Sequence, residues 1–187
     1  MAYFSYVKSI YEKYIDQLYA YALHWGFDRN VAMDAIHDVF YKLCSNGNSL
    51  ENVANVKFFL FRSLKNRLID IYRSNREHAG ILASNGDGGN EMSFRLNVSI
   101  EDDLIEEEDR EEIRQKVEKI LNQLTDRQRE IIYLRYVQEY SYEEIAALMQ
   151  ISVLSCRNLM SKAVTRIRES NLFSIFPAQA ICLFSFF

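Results

Sequence analysis

Six side chains between residues 155 and 165, Ser155, Arg157, Asn158, Ser161, Lys162 and Thr165, have the chemistry to address a nucleic acid. They fall outward on one helix when Val153, Cys156, Met160, Ala163 and Ile167 form its inward stripe at three- and four-residue spacing. Hydroxyls and amides exchange hydrogen bonds with base edges, while Arg and Lys pair with phosphates. Residues 150–170 hold four basic groups (Arg157, Lys162, Arg166, Arg168) against Glu169 alone, so this unit is locally cationic. Histidines at 24, 37 and 78 and cysteines at 44, 156 and 182 have no metal-ligand spacing, and no catalytic motif is present. The chain therefore reads as a binder, not an enzyme, with no cofactor, no metal and no small-molecule substrate.

The elements that position these residues are written in the local sequence. Thr125 with Gln128, and Ser141 with Glu144, fit capping boxes, in which a hydroxyl and a carboxamide or carboxylate satisfy the free N–H groups of a first helical turn. Tyr142, Ile145, Ala146 and Met149 share one helical face; Gln150-Ile151-Ser152 breaks the pattern, and Ser152 caps the helix that follows. Residues 125–169 thus read as a helix followed by a helix-turn-helix, whose second helix is built to lie in the major groove. An ordinary helical hairpin with a solvated face has the same periodicity.

One proline and six glycines in 187 residues, with no run of alternating β-branched residues, predict an all-α chain. The odd number of scattered cysteines places it in a reducing, cytoplasmic compartment, and charges at Lys8, Glu12, Lys13 and Asp16 leave no signal peptide at the start. The net charge of −4 conceals its distribution: residues 101–112 carry −8, so the remaining residues carry +4.

A second basic block spans residues 55–78, with six Lys or Arg against Asp70 and Glu77. Val56, Phe59, Leu60, Leu64, Leu68, Ile71 and Tyr72 give it a broad apolar helical face, so Phe59 and Leu60 are expected in the core, and Phe58 and Phe61 cannot both share it. Cationic groups interleaved with aromatics also suit single-stranded nucleic acid, whose bases stack on rings. Upstream, residues 31–44 and 7–25 form two further amphipathic helices. With 55–78 they make a three-helix domain, residues 1–76.

Residues 77–110 join Gly/Asn/Ser-rich sequence to the acidic run and read as a flexible acidic linker. A second helical domain follows at 111–170. Residues 171–187 form an apolar tail of which the 16 from Leu172 carry no charge, about 24 Å as a helix against a hydrocarbon core of ~30 Å, and Pro177 interrupts it. It is expected to pack on the preceding domain or to serve as a sticky surface, not to span a membrane.

Two motif blocks in this order resemble the sigma-70 factors of bacterial RNA polymerase, in particular the small two-domain extracytoplasmic-function group. The resemblance runs over residues 4–170. In the first half it rests on Asp34-Ala35-Ile36-His37-Asp38-Val39-Phe40, then Phe59-Leu60 with Asn66, Asp70 and Arg73. In the second it rests on Leu124-Thr125, Arg129, Tyr142-Glu143-Glu144-Ile145-Ala146 and Ile151-Ser152.

The resemblance implies a sigma factor: two helical domains, the second a winged-helix-like helix-turn-helix of the region 4 type. It implies docking on the polymerase β′ clamp helices through Asp34, His37, Asp38, Phe40 and Tyr41, with the β flap as a further polymerase contact. It implies −10 contacts by Asn46, Asn48, Lys57, Phe61, Arg62, Lys65, Asn66 and Arg73, the loop 45–52 receiving a flipped base. It implies −35 contacts by Ser152, Ser155, Arg157, Asn158, Ser161 and Lys162, and restraint by an anti-sigma factor. The acidic linker is then either a nucleic-acid mimic in the polymerase's RNA path or a solvated spacer. Family patterns commonly have Gln, Trp, Gly and Arg where this chain has His37, Phe59, Gln150 and Leu159. A left-handed Gln150 costs on the order of 1 kcal/mol. Two other readings stay open on residues alone: a free-standing helix-turn-helix regulator binding duplex DNA as a dimer, and a protein-binding adaptor.

Overall fold

The computed structural model describes residues 2–45, 50, 53–78, 92–96 and 107–169, and no strand occurs among them. The all-α expectation holds for these residues. The chain divides into two compact units, Met1–Ser93 and Phe94–Phe187.

Three helices make the first unit: α1 (Ala2–His24), α2 (Arg29–Ser45) and α3 (Val56–His78), each packed on the other two. Side-chain caps start the second and third. Asp28 Oδ1 accepts the backbone N–H groups of Asn30 and Val31 at 2.9 and 3.0 Å, and Asn55 Oδ1 accepts that of Phe58 at 3.0 Å. Gly26, at φ 78°, supplies the left-handed residue of the turn between α1 and α2. Leu18, Tyr21, Ile36, Leu60, Phe61, Leu64 and Leu68 are fully buried between the three helices. Burying each such side chain contributes roughly 1.5–3 kcal/mol, which sets the rotation of each helix about its own axis.

The second unit contains α4 (Glu107–Leu121), α5 (Asp126–Ile132), a π-helical turn (Tyr133–Val137), α6 (Tyr142–Met149) and α7 (Val153–Glu169). Both capping boxes are formed. Thr125 and Ser141 accept from the backbone N–H groups of Gln128 and Glu144, whose side chains accept in return from the cap residues' own N–H groups. The turn between α6 and α7 closes on Gln150 in the left-handed region, φ 55° and ψ 48°. Ile145, Ala146 and Met149 of α6 and Cys156, Met160 and Ala163 of α7 are buried, as their spacing predicts.

The π turn has no counterpart in the periodicity. Gln138 N–H reaches back five residues to the Tyr133 carbonyl at 3.1 Å, and Tyr140 N–H bonds the Leu134 carbonyl at 3.0 Å. Burial explains it: the Gln138 amide donates to the Tyr133 hydroxyl at 2.8 Å inside the unit, a contact that the wider turn permits.

Residues 92–96 fall within the segment expected as linker, yet Phe94 is fully buried. Its ring sits 5.7 Å from that of Tyr133, and its carbonyl accepts from Arg129 Nε at 2.6 Å. Arg129 also donates to the Leu121 carbonyl at 3.0 Å and pairs with Asp126, so one guanidinium ties Phe94, the end of α4 and the start of α5 together. At the ends of that segment residues 77–78 belong to α3 and 107–110 to α4, while residues 79–91 and 97–106, the loop residues 46–49, 51 and 52, and the tail beyond 169 lie outside the described residues. Among the described residues no helix is long and apolar enough to cross a membrane.

Candidate nucleic-acid interface

Helix α7 presents every residue expected at a duplex. Ser152, Ser155, Arg157, Asn158, Ser161 and Lys162 are all exposed, because burial of Cys156, Met160 and Ala163 turns the opposite face to solvent. Ser152 is also the helix cap: its Oγ accepts the Ser155 N–H at 3.1 Å and its hydroxyl donates to Ser155 Oγ at 2.8 Å. Arg157 is held from α6, its guanidinium 5.7 Å from the Tyr142 ring centre and 3.8 Å from Glu143 Oε1. Arg135 lies over the same ring at 5.2 Å. Arg166, also exposed, reaches back to the neighbouring helices instead, donating to Gln128 Oε1 at 2.9 Å and to the Gln123 carbonyl at 3.3 Å. That contact fastens α7 to the α4–α5 corner.

Helix α3 brings together only part of its expected set. Arg62, Asn66 and Arg73 are exposed at spacings of four and seven residues, one stripe along the helix, whereas Lys57, five residues before Arg62, is half-buried on the other side of the helix. Phe61 is not available to nucleic acid: it is 0 % exposed, with its ring 5.1 Å from Tyr21. Lys65 is 9 % exposed, one helical turn from Phe61, and its ammonium lies 5.2 Å from the Trp25 ring centre. Both assignments are corrected for one reason. The core face of α3 is centred between Leu60, Phe61, Leu64 and Leu68, so it includes Phe61, leaves Phe59 half-buried and carries Lys65 at its edge over an aromatic. Asn46 and Asn48 lie outside the described residues.

On α2, Asp34, His37 and Tyr41 are exposed along one stripe. The His37 ring stacks on Tyr11 at 6.2 Å, with Nε2 3.3 Å from the Tyr11 hydroxyl. Asp38 is held by Arg67 of α3. Phe40 is 6 % exposed and meets Tyr11 edge-on at 5.0 Å, so it supports the stripe from below and offers no contact surface of its own. A groove of about 290 Å³ runs between α2 and α3, with Lys42, Phe59, Asn66 and Asp70 among its walls.

Sequence reasoning passed over three features. Leu159, which stands where the family commonly has Arg, is half-buried, and the exposed leucine of α7 is Leu154. Tyr142 shares a helical face with the buried Ile145, Ala146 and Met149, yet it is half-buried, with the guanidinium groups of Arg135 and Arg157 5.2 and 5.7 Å from its ring centre. Arg129 carried part of the family motif, and its three partners show that it acts as a clamp.

The two halves match two family models, Sigma-70 region 2 over residues 10–78 and Sigma-70, region 4 over residues 114–167. A relative, the ECF RNA polymerase sigma factor SigM of Bacillus subtilis (strain 168), is 23% identical over 171 residues, covering 87% of this chain and 93% of its own. Among solved structures, the sigma factor RpoE of Bartonella quintana, crystallised with the anti-sigma factor NepR, shares the fold. It has a TM-score of 0.61 and 24% identity over 91% of this chain and 98% of its own.

Proposed function

The chain belongs to the sigma-70 family, whose members direct RNA polymerase core to promoters, and from that premise we propose how its residues divide the work. It is a regulatory, DNA-binding subunit and not an enzyme. In our reading residues 1–76 form region 2, 77–110 a linker, 111–170 region 4 and 171–187 a tail, acting in the cytoplasm.

Region 2 docks on the polymerase clamp helices through the exposed stripe Asp34, His37 and Tyr41, with Asp38 at its edge. Its α3 stripe of Arg62, Asn66 and Arg73 follows the non-template strand at the −10 element, while the loop 45–52 takes a flipped base. Unstacking that base costs a few kcal/mol, which phosphate pairing and pocket contacts offset. Region 4 reads the −35 duplex with α7. The polymerase flap holds this region, and an anti-sigma factor restrains the chain, a reading supported by the anti-sigma factor bound to the Bartonella quintana sigma factor in its complex.

The observation that carries the reading is that each family-matched region includes a helix with an exposed polar and cationic stripe: Arg62, Asn66 and Arg73 on α3; Arg157, Asn158, Ser161 and Lys162 on α7. Transcription by purified core polymerase with this protein, on promoter fragments from its own genome, is the test. A promoter-dependent transcript that weakens on substitution of either the −10 or the −35 element is expected. Specific duplex binding by the protein alone, with no such transcript, would replace this reading with a free-standing regulator.

A further inference from the structure

The first turn of α7 carries a side chain that neither the capping pattern nor the polar stripe accounts for. Leu154 is 70% exposed. A lone exposed leucine is ordinary on any protein surface. Its place is what matters: Leu154, Asn158, Ser161 and Thr165 follow one another at four-, three- and four-residue steps, so they form a single outward stripe, and all four are exposed. Arg157 lies beside that stripe, braced against Tyr142 and Glu143.

In a helix-turn-helix the N-terminal residues of the second helix contact the base edges. Leu154 is the second residue of that helix. Within the major groove each base edge presents donors or acceptors, except that thymine also presents its C5-methyl group. A branched aliphatic side chain has no hydrogen bond to offer and desolvates any polar edge it covers without compensation. Only the thymine methyl matches it.

We propose that Leu154 is a specificity-determining residue of this chain, selecting a thymine in the −35 element by apolar contact with its C5-methyl group. The inference rests on the assignment of α7 to the −35 duplex. Asn158, one turn further along, then reads the adjacent base, and the Ser152–Ser155 hydroxyl pair fixes the backbone from which Leu154 projects.

Holoenzyme reconstituted with core polymerase is titrated against a promoter fragment that it transcribes. Each thymine of the −35 element is replaced in turn by deoxyuridine, which removes only the methyl group. Wild-type affinity should fall about fourfold at one position, the effect of losing one buried methyl-sized group. Leu154→Ala should bind thymine and uracil fragments there equally, and Leu154→Met should recover part of the discrimination. Wild-type indifference to every replacement overturns the assignment. So does a Leu154→Ala variant that keeps the uracil sensitivity, or one that weakens both fragments equally without losing it. If the whole −35 element can be scrambled without loss, the reading of α7 itself fails. Base dependence that persists while the uracil effect is absent removes only Leu154.

Discussion

Arg67 of α3 grips one carboxylate oxygen of Asp38 on α2, donating from Nε at 2.7 Å with Nη2 ion-paired to the same oxygen at 2.6 Å. The bond joins the edge of the stripe proposed to meet polymerase to the helix proposed to follow the opened strand. Both side chains remain more than a third exposed, 38% and 44%. Solvent screening then limits the pair, and a double-mutant cycle of Asp38→Ala and Arg67→Ala should give a coupling below about 1 kcal/mol in urea denaturation. A coupling several times larger would make the pair a principal strut of the first unit.

Asp34 is exposed on the same stripe. Asp34→Lys should weaken association with core polymerase at least tenfold in a binding titration, since it reverses a charge within the stripe proposed to dock. Its folding stability should stay within roughly 0.5 kcal/mol of the parent. Unchanged affinity would remove Asp34 from the docking surface.

Phe61 and Arg62 are neighbours with opposite fates. Phe61→Ala should destabilise the first unit by about 3–5 kcal/mol, the size of a large cavity in a packed core, as measured by denaturation. Arg62→Ala should leave stability nearly unchanged and slow promoter opening, read as a lower yield of permanganate-reactive thymines at the −10 element. The reverse pattern would restore Phe61 to the nucleic-acid surface.

The left-handed backbone at Gln150 tolerates glycine better than any residue with a Cβ. Gln150→Gly should therefore raise the stability of the second unit by up to about 1 kcal/mol, less whatever glycine gains in the unfolded chain. Gln150→Val should lower it by more, because a β-branched residue resists that conformation. Thermal melts of both variants check the ordering.

Burial pushes the Tyr133 hydroxyl up to about 12 from its ordinary value of 10, partly opposed by the hydrogen bond from Gln138. The unfolded chain then loses its proton first as pH rises, so the unfolded state gains from alkalinity before the folded state does. The contribution of this group is fully present below pH 10 and is lost between about pH 10 and 12. Tyr133→Phe lowers stability at neutral pH by removing the acceptor of the Gln138 amide, yet it should flatten the alkaline slope. A slope unchanged by Tyr133→Phe would place the alkaline loss on other groups.

Much of the architecture could be read in advance because its causes are local. Thr125, Ser141 and Ser152 cap helices through bonds that span three residues, so the residue types at those spacings specify them. The inward row of Cys156, Met160 and Ala163 follows from helical periodicity, and the exposed row on α7 is its complement. Helix α3 was harder. Its apolar residues at 58–61 cover a full turn, and periodicity cannot choose which part of such a belt faces inward.

In the sequence by itself, helices α6 and α7, their caps and the helix-turn-helix follow from bonds or spacings within a few residues, and the order of the two motif blocks along the chain identifies the family. Only the tertiary structure decided which members of the candidate site reach solvent. Tyr21 drew Phe61 into the core, Trp25 held Lys65, Tyr11 covered Phe40, and the Phe94–Arg129–Tyr133 contacts anchored a stretch that composition alone reads as tether. The physical reason is common to all four. A helix's rotation and a segment's anchoring are set by the summed burial and hydrogen bonding of partners distant in sequence, and no local pattern encodes them.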